Sequence, residues 1–170
     1  MELYEAIHAR QCIRSYGDGR IPDGVVERLL EAAVAAPSAG NLQSWRFYVV
    51  AEPRLKEGLA RAARQRFVGQ ASHVIVVCAD LVTAENGYGD RGRELYCFQD
   101  AAAATQNLFL AATAEGLAAC WVGAFDEAAV SRLLDLPARF RPVALVPLGY
   151  PGGTTGRRPR KPLSEVAEWR

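Results

Sequence analysis

Three clusters in the 170-residue chain carry side chains suited to chemistry, and none of them contains an acid/base pair or a nucleophile with its base. The first is Arg10, Gln11, Cys12, Ile13 and Arg14. If that stretch is helical, the two guanidiniums four residues apart share a face and can clamp an anion; otherwise they are two solvated surface cations. The second is APSAGNLQSW, residues 36–45, where Ser38, Asn41 and Gln43 are donors and acceptors on a turn between a helix and a strand. They serve either a ligand or the turn's own hydrogen bonds. The third is TTGRRPRKP, residues 154–162. There Arg157, Arg158, Arg160 and Lys161 can grip a phosphate, or form a solvated tail, or act as a nucleic-acid arm.

What is absent narrows the chemistry further. His8 and His73 lie far apart, and His73 opens an apolar strand-like run, so neither is assigned a catalytic role. The NGYGDRG stretch lacks both GxxxxGK[ST] and a GxGxxG after a strand, and is therefore not a phosphate cradle. Cys12, Cys78, Cys97 and Cys120 show no CxxC or CxxxxH spacing, which argues against zinc and against a disulfide scaffold. They read as reduced thiols of a cytoplasmic protein. With so little side-chain reactivity, an enzyme built on this chain has to borrow it from a cofactor.

Positioning these clusters falls to one ordinary domain, residues 1–170, with 150–170 as a C-terminal arm. Half the residues are apolar and 23% are charged, with 20 cations against 19 anions. A chain this long buries roughly 70% of the surface its unfolded form exposes, enough for a core without staples. The near-neutral balance argues against a dedicated nucleic-acid binder, although 18 of the 20 cations are Arg, the residue whose planar fork suits phosphate. No apolar run is long enough to span a membrane, and MELYEAIHARQCIR has no signal-like core.

Along the chain, Leu3 to Ala9 reads as a short helix. Val25, Val26, Leu29, Leu30, Ala33 and Val34 have helical spacing from Asp23 until Pro37 ends the helix. WRFYVVA is a strand, and a helix follows from about Pro53 to Arg66. HVIVVCA is a strand covered on both faces, and DLVTAENGYGDRGRE a surface loop. Glu94 to Ala114 is apolar nearly all round, which predicts a helix at a subunit interface with Gly116 as its C-cap. ACWVG is a strand, Asp126 caps a helix to about Leu134, and PVALVPLG is the last strand. The pattern is α+β or α/β.

In order, these segments resemble the nitroreductase family of FMN-dependent oxidoreductases. The resemblance rests on ARQCIRSY, IPDGVVERLLEAAVAAPSAGNLQSWRFYVV, QRFVGQASHVIVVCAD, GLAACWVG, and LGYPGG with RPRKPL. It implies an α+β fold, a mixed, mainly antiparallel sheet flanked by helices, in an intertwined homodimer with FMN at the interface. Position by position, it implies that Arg10, Gln11 and Cys12 hold the FMN phosphate and ribityl chain and that Arg14 lies beside the flavin pyrimidine edge. Pro37, Ser38 and Asn41 match a loop reaching the flavin from the partner subunit. Gln65 matches an amide facing the isoalloxazine, and Trp121, Val122 and Gly123 a strand end along the ring whose backbone amides meet it. Arg158 and Arg160 match cations closing over the phosphate.

The chain departs from the family pattern at Cys12 and Ala39, where Ser is common, and at Ser44, where Pro is usual. It also lacks room for the inserted helices that cap the pocket in larger members, so an open flavin face is expected. The implied activity is hydride transfer from NADH or NADPH to FMN and on to an electron-poor small molecule such as a nitroaromatic or quinone, by a ping-pong cycle. The alternative is a non-catalytic flavin-binding or regulatory dimer of the same fold.

Overall fold

The computed structural model describes residues 1–153, 156 and 159–170. Its centre is a four-stranded sheet of β1 (Trp45–Val50), β2 (His73–Asp80), β3 (Ala118–Ala119) and β4 (Phe140–Gly149), ordered β1-β2-β4-β3. Every pairing among the described strands is antiparallel, as in the mainly antiparallel sheet expected. The helices are α1 (Leu3–Ala9), α2 (Asp23–Val34), α3 (Pro53–Ala63), α4 (Phe67–Gln70), α5 (Leu81–Arg91), α6 (Cys97–Ala114) and α7 (Glu127–Leu133).

The alternation of a strand explains why the apolar run of β2 is continuous. Ile75 and Val77 point to one face, where they meet Val26, Leu29 and Ala33 of α2 and Ala104, Leu108 and Phe109 of α6. Val74, Val76 and Cys78 point to the other, against Leu59 and Ala63 of α3 and Val130 of α7. All eight residues of β2 are buried, because helices cover both faces. The outcome is three layers with the sheet in the middle. Among the described residues, no helix is long and apolar enough to cross a membrane.

Three expectations are corrected. The segment 81–91 is a helix and not a loop. Its Gly and Asn content hides it, and the fold imposes it. The Asp80 carboxylate accepts from Thr83 N–H (3.2 Å) and is gripped by Arg139 (2.6 Å). Gly89, at φ 58°, takes up the kink near the helix end, and a π turn over Gly92–Tyr96 leads into α6. Secondly, α3 stops at Ala63 and not near Arg66, since Arg64 turns left-handed (φ 53°) and α4 begins a separate turn. Thirdly, the strand expected over ACWVG is confined to Ala118–Ala119 plus an isolated bridge between Val122 and Leu145.

Candidate active site

The stretch after α1 is not helical. Arg10 leaves the helix at φ −55°, ψ 125°, and Ile13 N–H donates to Ala119 O (2.9 Å), laying the segment beside β3. Arg10, Cys12 and Arg14 are thus not brought together by helical spacing: Cys12 packs against the clusters on both faces of the sheet, Arg10 reaches one of them and Arg14 the other.

Each of the three meets a defined neighbour. The Arg10 guanidinium lies over the Phe109 ring (6.0 Å), and Phe109 stacks with Trp121 (6.2 Å between centroids, 28° between planes). Arg14 lies over Phe67 (6.0 Å). Cys12 and Cys120 pack into the same core cluster, and the Cys120 S–H points to Trp121 O (3.9 Å). The neighbouring Cys120 leads in holding the Cys12 thiol well below the ordinary thiol range; burial opposes it, and the Trp121 backbone, Arg10 and Arg14 act in the same direction as Cys120. Cys12, with burial, raises Cys120 in turn. Neither Arg10 nor Arg14 has a carboxylate partner among the described residues, a property they share with several surface arginines such as Arg54 and Arg61.

The root of the C-terminal arm joins this cluster. Tyr16 pairs with Pro151, Gly17 N–H donates to Tyr150 O (2.9 Å) and Gly152 N–H to Ser15 O (3.0 Å). The Tyr16 hydroxyl donates toward Ile13 O (3.3 Å) and Pro147 O (3.2 Å). Close approach there demands glycine, because a Cβ on Gly152 would stand 2.5 Å from the Tyr16 carbonyl carbon. Arg160 lies further along the arm and is exposed. Arg157 and Arg158 lie outside the described residues.

Gln65 is half-buried at the end of α3, two residues from the Phe67 that underlies Arg14. Trp121 and Gly123 are exposed. One of the amides expected to meet a ligand is already used: Val122 N–H donates to Leu145 O, and Val122 O accepts from Leu145 N–H (2.9 Å each).

Pro37, Ser38 and Asn41 form a second, separate group. Their turn is fastened to α6 by Asp100, which is 5% exposed. Its carboxylate accepts from Ala39 N–H (3.0 Å) and the Ser44 hydroxyl (2.6 Å). Ser38 Oγ accepts from Gln43 N–H (3.0 Å), while Gly40, Asn41 and Gln43 adopt left-handed φ of 55°, 55° and 51°. Asp100 and Phe109 are nine residues apart on one helix, or about 13–14 Å along its axis. Within one chain this turn therefore sits away from the Arg10 cluster.

Sequence reasoning missed Phe109, Phe67, Cys120, Asp100 and Ser44. A signal for Asp100 was present: a carboxylate in an otherwise apolar helix must find buried donors. For the aromatic supports and the thiol partner, no local signal exists.

Fold and site together define a class: a helix-covered antiparallel sheet with two guanidiniums that lie beside aromatic rings and have no carboxylate partner among the described residues. The model of the nitroreductase family matches residues 7–67 and 59–150, and the chain belongs to that family. An Archaeoglobus fulgidus protein with the provisional name NADH dehydrogenase/NAD(P)H nitroreductase is 36% identical over 155 residues, covering 88% of this chain and 86% of that one. The Bacillus subtilis FMN reductase (NADPH) is 28% identical over 176 residues, covering 95% and 71%. A structure from Exiguobacterium sibiricum, solved in complex with FMN, shares the fold with a TM-score of 0.90 at 23% identity, covering 100% of this chain and 98% of that one.

Proposed function

We propose that this protein is an FMN-dependent oxidoreductase that takes hydride from NADH or NADPH and reduces electron-poor small molecules such as nitroaromatics and quinones. The observation that carries the reading is the Arg10, Cys12 and Arg14 cluster, free of carboxylate partners among the described residues and set against Phe109, Trp121 and Phe67. FMN, when bound, supplies the two-electron chemistry, accepting hydride from the nicotinamide and passing it to the acceptor in a ping-pong cycle.

The chain's own residues bind and tune. Arg10 holds the phosphate by charge-assisted hydrogen bonds, with Gln11 and Cys12 along the ribityl chain and Arg158 and Arg160 closing from the arm. Arg14 places positive charge at the pyrimidine edge, where it favours the anionic reduced ring. Gln65 faces the isoalloxazine, and the exposed Trp121 and Gly123 flank the ring without help from the occupied Val122 amide. No side chain is assigned proton transfer.

A homodimer with FMN at its interface completes the site. The Pro37–Ser38–Asn41 turn, fastened away from its own chain's Arg10, then serves the partner's cofactor. Two uncovered apolar surfaces support this: Leu3, Tyr4 and Ile7 of α1 are exposed, and so are Leu163, Val166 and Trp169 of the arm, Trp169 at 94%.

Three measurements test the reading. Purified protein should carry flavin absorption bands or acquire them on adding FMN. Arg10→Ala and Arg160→Ala should each weaken FMN binding by about 1.5–3 kcal/mol, roughly 10- to 150-fold in Kd. NADH or NADPH should be oxidised with menadione or nitrofurazone as acceptor. A colourless protein that never binds FMN refutes the reading, and flavin that stays oxidised under anaerobic NADH and NADPH indicates the non-catalytic dimer instead.

A further inference from the structure

Four cysteines are present, and the fold sorts them. Cys78 is wholly buried, and burial alone pushes its thiol up to about 12; Cys97 is buried and also raised, burial again leading. Cys12 and Cys120, 108 positions apart by number, are brought into one core cluster where Ile13 N–H donates to Ala119 O (2.9 Å). Cys12 is partly buried and Cys120 is 1% exposed, so only the first sulfur has an opening to a small solute.

We propose that Cys12 and Cys120 form a peroxide-reactive dithiol, oxidised to an intramolecular disulfide that disables the proposed FMN phosphate site and is restored by thiols. The oxidant is a hydroperoxide, hydrogen peroxide being the simplest. The Cys12 thiolate attacks the terminal peroxide oxygen, the O–O bond breaks, and Cys12 becomes a sulfenic acid as hydroxide leaves. Cys120 then gives up its proton and attacks that sulfur; the S–S bond forms, the S–O bond breaks, and the departing hydroxide takes the proton as water. In total, two thiols and one hydrogen peroxide give one disulfide and two waters.

The surroundings divide the labour. Cys12 is the attacking sulfur: it is the less buried of the pair, and its surroundings, Cys120 first and then Trp121, Arg10 and Arg14, favour its thiolate against the cost of burial. Cys120, screened from solvent, resolves. Oxidation then ties Cys12 to residue 120 and withdraws its sulfur from the proposed phosphate and ribityl contacts. That second consequence rests on the FMN reading, whereas disulfide formation does not.

The experiment treats the purified protein with hydrogen peroxide, with and without added FMN, then alkylates and maps the peptides. The expected result is loss of two of the four titratable thiols and a linked peptide pair containing Cys12 and Cys120, reversed by dithiothreitol. FMN should slow the reaction at least severalfold by covering Cys12. Cys12→Ser should abolish the link. Cys120→Ser and Cys120→Ala should stop at a dimedone-reactive sulfenic acid on Cys12, and melting curves of all three variants establish that they fold. FMN titration should show at least tenfold weaker binding to oxidised than to reduced wild type. Cys12 and Cys120 both remaining alkylatable, or either linking instead to Cys78, Cys97 or a second chain, overturns the dithiol. A disulfide formed with FMN affinity unchanged overturns the switch, and no FMN binding by the reduced protein overturns the functional reading while the peptide map still decides the disulfide.

Discussion

Asp100→Ala removes the one carboxylate that anchors the 36–45 turn. Two hydrogen bonds end on it, from Ala39 N–H at 3.0 Å and the Ser44 hydroxyl at 2.6 Å, and bonds to a charged group contribute about 1.5–3 kcal/mol each. The gross loss is therefore about 3–6 kcal/mol. Against it stands strain that the anchor holds in place: Asn41 and Gln43 have φ of 55° and 51°, and left-handed backbone costs roughly 1–2 kcal/mol per residue, least for Asn. A turn released from Asp100 can relax and recover about 2 kcal/mol of this strain, leaving a net destabilisation of about 1–4 kcal/mol. For a chain of this size that lowers Tm by about 2–16 °C. Asp100→Asn keeps the shape but loses the charge, and should cost about 1 kcal/mol. Adding Ser44→Ala to Asp100→Ala should add almost nothing, because the partner is already gone. Calorimetry gives the Tm, and hydrogen exchange at the Ala39 amide reads the anchor directly. An Asp100→Ala protein that melts with the wild type and keeps Ala39 protected refutes the reasoning.

Two further outcomes follow from single positions. Burial and Arg20 lower the pKa of His73, with Asp23 opposing, while Ile21 N–H donates to Ser72 Oγ (2.8 Å) and Ser72 faces His73 Nδ1 (3.0 Å). The unfolded chain then binds this proton more readily than the folded one, so the stability is full above the ordinary pKa of 6.5 and declines as pH falls below it. Urea midpoints from about pH 7.5 down to 5.5 should show the decline, and His73→Gln should flatten it; equal slopes in both proteins contradict the assignment. At the junction of α5 and the π turn, a Cβ on Gly92 would collide with the backbone carbonyl oxygen of Ala84, where no rotamer relieves it. Gly92→Ala should cost about 2–3 kcal/mol, and a melting curve unchanged by it would show the junction to be loose.

Much of the fold was legible because its signals are local. The continuous run 73–80, the helical spacing of Val26, Leu29 and Ala33, and the capping Asp126 each act within a few residues, and each element formed where its pattern lay. The segment 81–91 was not legible, since its Gly-rich composition disfavours a helix and its cap, Asp80, is gripped by Arg139 from 59 positions away. At the site, residue types were legible while their supports were not. Arg10 and Arg14 stood out as candidate anion ligands, yet Phe109 beneath the one and Phe67 beneath the other belong to distant helices.

The amino-acid order by itself determined the layers, the family, and the residue types suited to an anion with a flat ring, because periodicity and short motifs act through neighbours along the chain. Tertiary structure alone decided that residues 10–14 lie beside β3 with Arg10 over Phe109 and Arg14 over Phe67, that Val122 spends its amide on Leu145, and that Cys12 packs into the cluster of Cys120. Those outcomes depend on which strand edge residues 10–14 lie against, and strand register is fixed by the burial of two faces at once, which no local window of sequence contains.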